Sequence, residues 1–465
     1  MSVKKYKNTL SLLFVFFSTI LFLNAQQATI SPYTRYGIGQ LTGSAFVTQT
    51  AMGGIGNAIY VKDRLNYSNP ASYSYDTITT FEAGFKAEGT DLKTGSSSLT
   101  ASGISISYLA LGFPIIKTKV GVSIGVLPYS TVGYKVNLIE TDPYAGKVQS
   151  TFKGDGGLTR FYLGAGYAPF AGLSTKFMAS AKYKQYIADH DTTSIQKINK
   201  RNSLLSGLSI GCNGSWLFGS IKTQRSVEFL DGTGAYNTRI SNSSAHGDFY
   251  FNFGMMYTFK MKKDKFFNLG LTGATTTNIK STYNSLWYNY TSTQGLFETV
   301  VDTVQFVFQQ TGFTKIPMYY SGGIATGKTG NWLAGIDFTY QDWTKFESST
   351  SNDTLQTSYN VSLGGEWVPN KKGFKFLQKI YYRAGGHYTK TYLNLNTSDI
   401  DDYGFSFGFG LPVINKDRIQ KAVFNIAFEA GQKGTLKNDL LREQYVRFHI
   451  GITINESWFF KRRYE

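Results

Sequence analysis

Cysteine is nearly missing: Cys212 is the single one in 465 residues, so no internal disulfide framework can hold this chain. No cysteine stands at the candidate cleavage point either, which argues against a lipid-anchored lipoprotein. Proline is scarce at 9, and acids (30) are outnumbered by Lys and Arg (47) to a formal charge of +17. Long apolar runs are missing as well. Residues 10–23 are too short for a confident membrane helix, and no later segment does better, which excludes crossing by helices. Metal-site spacing is absent around His190, His246, His387 and His449, so no metal and no cofactor is expected. The cations read as scattered along strands and turns, with no basic helix or known module, so nucleic acid is not the expected partner. They are expected instead to meet anionic headgroups of outer-membrane lipids and lipopolysaccharide.

The chain opens like a secretory signal: Lys4, Lys5 and Lys7, the apolar run 10–23, then Asn24-Ala25 before Gln26. Beyond it the chain is rich in Gly (49), Tyr (32) and Phe (36). Alternation at period two recurs throughout. Phe249, Phe251, Phe253, Met255, Tyr257 and Phe259 share one face, while Asn252, Gly254, Thr258 and Lys260 share the other. Tyr403, Phe405, Phe407 and Phe409 alternate with Gly404, Ser406, Gly408 and Gly410. A soluble sandwich buries its bulky face. Bulky residues opposite small or polar ones in almost every segment instead suit a barrel with its apolar face in lipid.

About fourteen such segments can be counted, the first near Thr79 and the last near Leu441. Connections after even-numbered segments are short, and those at 137–156, 221–247 and 282–315 read as long loops. Short periplasmic turns and long outer loops are the habit of outer-membrane barrels. Residues 169–206 break the pattern. Phe177, Ala179, Ala181 and Tyr183 alternate as an extra hairpin would, for a count of sixteen, yet the polar run 189–202 reads equally well as a periplasmic insertion. At the other end, Ser457-Trp458-Phe459-Phe460-Lys461-Arg462-Arg463 suits an interfacial anchor. Barrels commonly end on an aromatic residue read by the barrel-assembly machinery, a partner expected here too.

Ahead of the first segment, residues 51–75 read AMGGIGNAIYVKDRLNYSNPASYSY. Gly53, Gly54 and Gly56 permit turns and close packing, and Pro70 keeps Asn69 out of the helical region. This stretch, with Asn69-Pro70-Ala71, resembles the hatch of FadL-type outer-membrane transporters of long-chain fatty acids. The resemblance implies an all-β, transmembrane antiparallel barrel of about 14 strands, with residues 26–78 as an N-terminal hatch in the lumen and 79–465 as the barrel. It also implies a monomer in the bacterial outer membrane that passes hydrophobic, fatty-acid-like small molecules. In that family the third strand is kinked and opens a hole towards lipid.

The matching position here is Leu127-Pro128-Tyr129. Proline cannot donate to a ladder and belongs at edges or bulges, so a break in the wall is expected there. Asp337, Glu366 and Arg383 fall on the inward face of three successive strands, and Glu429 lies opposite Arg447. Buried charges need partners, so these five are expected to form a luminal network.

Other motifs are decoys. Gly322, Gly327, Lys328 and Thr329 match a phosphate loop, but an alternating strand follows instead of a helix. Ser123, Ser209 and Ser406 sit in Gly-x-Ser-x-Gly patterns inside strands, where no nucleophile elbow can form. An enzyme is therefore not expected. The reading from a different class is a structural or adhesive barrel with a sealed lumen.

Overall fold

The structure, a computed structural model, describes residues 30–95, 97–189, 191–231, 234–293, 297–414 and 420–456. The signal-like residues 1–25 and the aromatic anchor 457–463 lie outside them. Fourteen antiparallel strands form one closed ring: β1 Thr79–Lys93, β2 Ser98–Ile116, β3 Val120–Asp142, β4 Gly146–Tyr167, β5 Leu208–Phe229 and β6 Asn237–Lys260. Next, β7 runs through Lys265–Ala274 and Thr277–Thr293, and β8 through Phe297–Ile316 and Tyr319–Lys328. The remaining strands are β9 Trp332–Asp342, β10 Thr357–Trp367, β11 Tyr381–Leu395, β12 Ser398–Ile414, β13 Gln420–Gly434 and β14 Arg442–Glu456. Pairing of β14 with β1, from Arg442↔Lys93 to Glu456↔Thr79, closes the ring.

The two faces separate as the alternation requires. Phe249, Phe251, Phe253 and Met255 are exposed on the outside, and Tyr250, Asn252 and Met256 are buried inside. Phe405 and Phe407 point out while Ser406 is buried. An apolar exterior on a closed ring is the solution open to strands in lipid, where no backbone edge can be left bare. The molecule is a transmembrane β-barrel.

The strands are of unequal height. β9, with 11 residues, is the length a tilted strand needs to cross a bilayer. β7 and β8 each consist of a crossing segment and a second segment beyond it, interrupted at Thr275-Thr276 and Pro317-Met318. The upper segment of β7 pairs with Asn237–His246 of β6 and with the upper segment of β8. β3, β4 and β5 rise alongside, with pairing continuing to Asp142↔Gly146 and Val148↔Phe229. Residues 137–156, 221–247 and 282–315 are therefore mostly paired strand and not the expected loops. The outer face of this raised wall meets water and its inner face buries small polar groups such as Ser226, Ser244 and Ser285, so its sequence has no reason to alternate bulky with small.

Residues 169–206 add no hairpin, and the ring stays at fourteen. Counting α1 as Val47–Thr50, they hold α2 Leu173–Met178, α3 Ala181–Ala188 and α4 Thr192–Leu205. The alternation around Phe177 was misleading because Lys, Gln, Ala and Ile are equally good helix formers. Side chains fix the helix starts: Ser180 accepts from the Tyr183 amide and Asp191 from the Ser194 amide.

The cations lie on strands and turns all round the ring, and one concentration stands out. The rim of short turns holds Lys117 and Lys119, Lys262, Lys263 and Lys265, Lys328, and Lys371, Lys372, Lys375 and Lys379. The helical insertion on the same rim holds Lys176, Lys182, Lys184, Lys197, Lys200 and Arg201 against Asp189 and Asp191. The raised wall mixes acids such as Glu140, Asp142, Asp231 and Asp302 with Lys147, Lys153, Arg225 and Arg239.

Candidate functional site

Residues 30–78 run inside the ring. Their short elements are the 3-10 turns Pro32–Arg35 and Pro70–Tyr75, α1, and a two-residue strand Gln40–Leu41. The segment touches strands all round the wall, and glycines make room for it. A Cβ on Gly270 would sit 1.9 Å from the Asn57 carbonyl oxygen, one on Gly121 1.9 Å from that of Tyr73, and one on Gly364 2.2 Å from that of Met52. These are backbone contacts that cannot yield, which explains why the inward face is so often glycine. Gly53 and Gly54, at φ +71° and +90°, turn the chain where it passes Gly386.

Asn69-Pro70-Ala71 is fully enclosed. Asn69 caps the turn that Pro70 begins, accepting from the Ala71 amide at 3.0 Å. Its amide group donates to the Asn57 carbonyl at 2.6 Å and to that of Met255, on the wall, at 3.2 Å. One short motif thus joins two turns of the inner segment to β6.

The charged residues form two groups. Glu366 receives Arg383 Nε at 2.8 Å and Arg64 Nη2 at 2.7 Å, and Arg383 also donates to Asn425 at 2.9 Å. Burial works against the Arg64 charge, but Glu366 outweighs it and raises its pKa. Asp63 beside it is 3.3 Å from Lys371 in the turn after β10. Among the described residues Asp337 meets no cation; it accepts the Gly56 and Asn57 amides at 2.6 and 2.8 Å. The second group links Arg447 to Glu429 and to Glu88, each at 2.9 Å, and Glu88 to Lys86 at 2.8 Å. The structure therefore divides the five anticipated residues: Glu366 with Arg383, Glu429 with Arg447, and Asp337 alone on backbone.

Arg64, Lys86 and Glu88 could not be assigned from the sequence. Arg64 lies 302 residues from Glu366, and only an Arg inside an otherwise small-residue stretch hints at a luminal acid. Arg160 was also missed. It is buried, 4.6 Å from the ring centre of Tyr67 and 5.4 Å from that of Tyr129.

At Leu127-Pro128-Tyr129 the ladder with β4 slips by one residue between Pro128 and Ser130. On its other side β3 pairs with β2 only from Val120↔Ile116 to Val126↔Leu109. Above that point β2 continues on β1 and β3 continues on β4, so the wall divides. The inner segment borders the division from inside. Gln40 and Leu41 pair with Thr131 and Ser130, the Thr42 amide donates to Tyr129 at 2.9 Å, and the Ser31 amide donates to Gly133 at 2.8 Å.

A cavity of about 900 Å³ lies above the inner segment and reaches the division, where Ile106, Tyr108, Pro128, Tyr129 and Tyr250 line it. Its wall also carries Asp402, Glu429, Lys433 and Arg447, and Lys86 and Arg160 line it beside the tyrosines, Arg160 being 5.4 Å from the ring centre of Tyr129. Apolar and charged groups are interleaved around the chamber.

This arrangement, a closed ring of fourteen strands with the preceding stretch folded inside, is the FadL-type outer-membrane barrel fold. Three solved structures share it: a Pseudomonas aeruginosa FadL homologue (TM-score 0.54, 12% identity, 90% of this chain and 99% of that one), the Pseudomonas putida toluene transporter TodX (0.52, 14%, 91% and 100%) and the CymD monoaromatic hydrocarbon channel (0.51, 12%, 91% and 99%). At those identities the likeness is one of fold. In sequence, the BamG family signature matches residues 3–198 and 197–465, and the chain belongs to the BamG family. No protein of curated function matches it in sequence.

Proposed function

We propose that the chain is a passive outer-membrane channel for hydrophobic small molecules such as long-chain fatty acids, with residues 26–78 as its hatch and the division between β2 and β3 as its exit. The division supports this reading, because it lies between the chamber and the lipid at Leu127-Pro128-Tyr129. An apolar solute gains by moving sideways into lipid and loses by entering water. The direct path down the lumen is obstructed by the Arg64–Glu366–Arg383 group and the tightly packed glycine contacts. The transport roles named for TodX and CymD agree with a hydrophobic cargo. No catalytic role is assigned to the luminal serines or histidines, which serve as small or hydrogen-bonded wall residues.

The charged residues of the chamber bear on the substrate. Interleaved with tyrosines, they suit an amphiphile better than a ligand apolar all round. To test the route, Leu127-Pro128-Tyr129 is replaced by Val-Thr-Val, which restores the ladder. Uptake of a fluorescent fatty acid into liposomes holding the folded variant should fall to the protein-free rate. Unchanged uptake refutes lateral exit. If the unaltered protein itself passes no hydrophobic probe, the sealed structural barrel is the right reading.

A further inference from the structure

The basic rim has two segments that lie outside the wall. The turn after β10 reads Lys371-Lys372-Gly373-Phe374-Lys375-Phe376-Leu377-Gln378-Lys379, and Phe374, Phe376 and Leu377 are 86%, 54% and 67% exposed. In α4, Lys197, Lys200, Arg201 and Leu204 fall at i, i+3, i+4 and i+7, hence on one exposed face. Met178, Leu204 and Leu205 are exposed in the same insertion.

Two matching hydrogen bonds set where these segments sit. Tyr257, on the lipid side of β6, donates to the Leu204 carbonyl at 2.6 Å. Tyr382, on the lipid side of β11 next to Trp367 and Phe409, donates to the Leu377 carbonyl at 3.2 Å. Both tyrosines point away from the lumen, so each draws a basic, apolar segment under the surrounding bilayer and not under the pore.

We propose that these two segments form a binding platform for anionic phospholipid headgroups of the leaflet on the short-turn side. The chemistry is complementary: Phe and Leu enter the interface while Lys and Arg meet phosphate. Lys371 belongs to the same turn but faces inward to Asp63, so the turn spans from the lipid side to the lumen. The raised outer rim mixes acids with its cations and so offers a weaker match to anionic headgroups.

The test uses the full-length protein in neutral detergent, titrated with phosphatidylglycerol or with phosphatidylcholine of the same acyl chains. Bound lipid is counted by native mass spectrometry. Phosphatidylglycerol should be retained preferentially, and its affinity should fall about fivefold for each cation removed in Lys372→Gln/Lys375→Gln and in Lys197→Gln/Lys200→Gln. Retention should also weaken as salt rises. Resistance of the unheated barrel to detergent denaturation on a gel shows that the variants are folded. Equal retention of the two lipids, or a preference unchanged in both folded variants, overturns the proposal and leaves the rim as a surface for an acidic protein. Displacement of phosphatidylglycerol by equimolar inorganic phosphate would identify a free-anion site, and stronger retention of lipopolysaccharide a different leaflet. Either result also overturns it. Failure here leaves the uptake route untouched, because the readout does not involve transport.

Discussion

The raised wall has two borders, and they are treated differently. At β3 the border carries hydrogen bonds from the chain's own residues 31–42 over Tyr129–Gly133. At β8 the stretch from Phe297 to Phe313 pairs with β7 on one side, and among the described residues no strand lies on the other until Thr314 meets Ser348. The difference follows from surroundings. The lower part of the β3 border stands at the level of the lipid, where an unmet backbone group costs several kcal/mol. The β8 border stands above the bilayer, where water satisfies the same groups. A strand edge is thus covered by the chain's own residues in one place and left to water in the other.

Breaking the anchorage of the inner segment should have the largest effect. Arg64→Ala leaves Glu366 and Arg383 buried without their third partner, and removal of one member of a buried ion group costs about 3–5 kcal/mol. The denaturation midpoint of the barrel in urea should fall accordingly, and a drop no larger than that of a surface substitution would refute the anchoring role. A smaller effect is expected at the covered border. Thr42→Pro deletes the amide that donates to Tyr129, a loss of about 1 kcal/mol, and should raise leakage of a hydrophobic dye while the barrel stays folded. Unchanged leakage would mean that this border does not gate the division. The smallest effect belongs to the bare border. Val304→Lys on β8 should alter stability by no more than about 0.5 kcal/mol and leave uptake unchanged. A marked loss would show that a partner, not water, normally covers the strand.

These contrasts also explain what could be read from the sequence. Where a strand faces lipid on one side and a packed lumen on the other, each residue is constrained, and Phe249 to Phe259 or Tyr403 to Phe409 announce the fold. Where the outer face meets water and the inner face packs small polar groups the constraint disappears, and Ser241-Asn242-Ser243-Ser244 looks like loop although it is paired throughout. The inward register of Asp337, Glu366 and Arg383 was legible because it follows from period two, and Phe338 and Tyr340 lie exposed on the other face. The partners were not. Arg64 and the amides of Gly56 and Asn57 come from a segment with no periodicity, and only the closed ring brings them to the acids.

The way the ring closes has a consequence for how the molecule is made. Residues 30–78 precede β1 in the chain, and the seam that closes the ring is β14 on β1. Ser31 bonds to Glu443 and Tyr33 to the Leu441 carbonyl, both at the far end of the sequence. With wall glycines leaving no gap for a Cβ, the inner segment is expected to take its place while the first and last strands are still apart. In a time course of folding, protection of residues 30–78 from protease should then appear no later than the heat-stable closed barrel, and protection that appears after closure would refute that order.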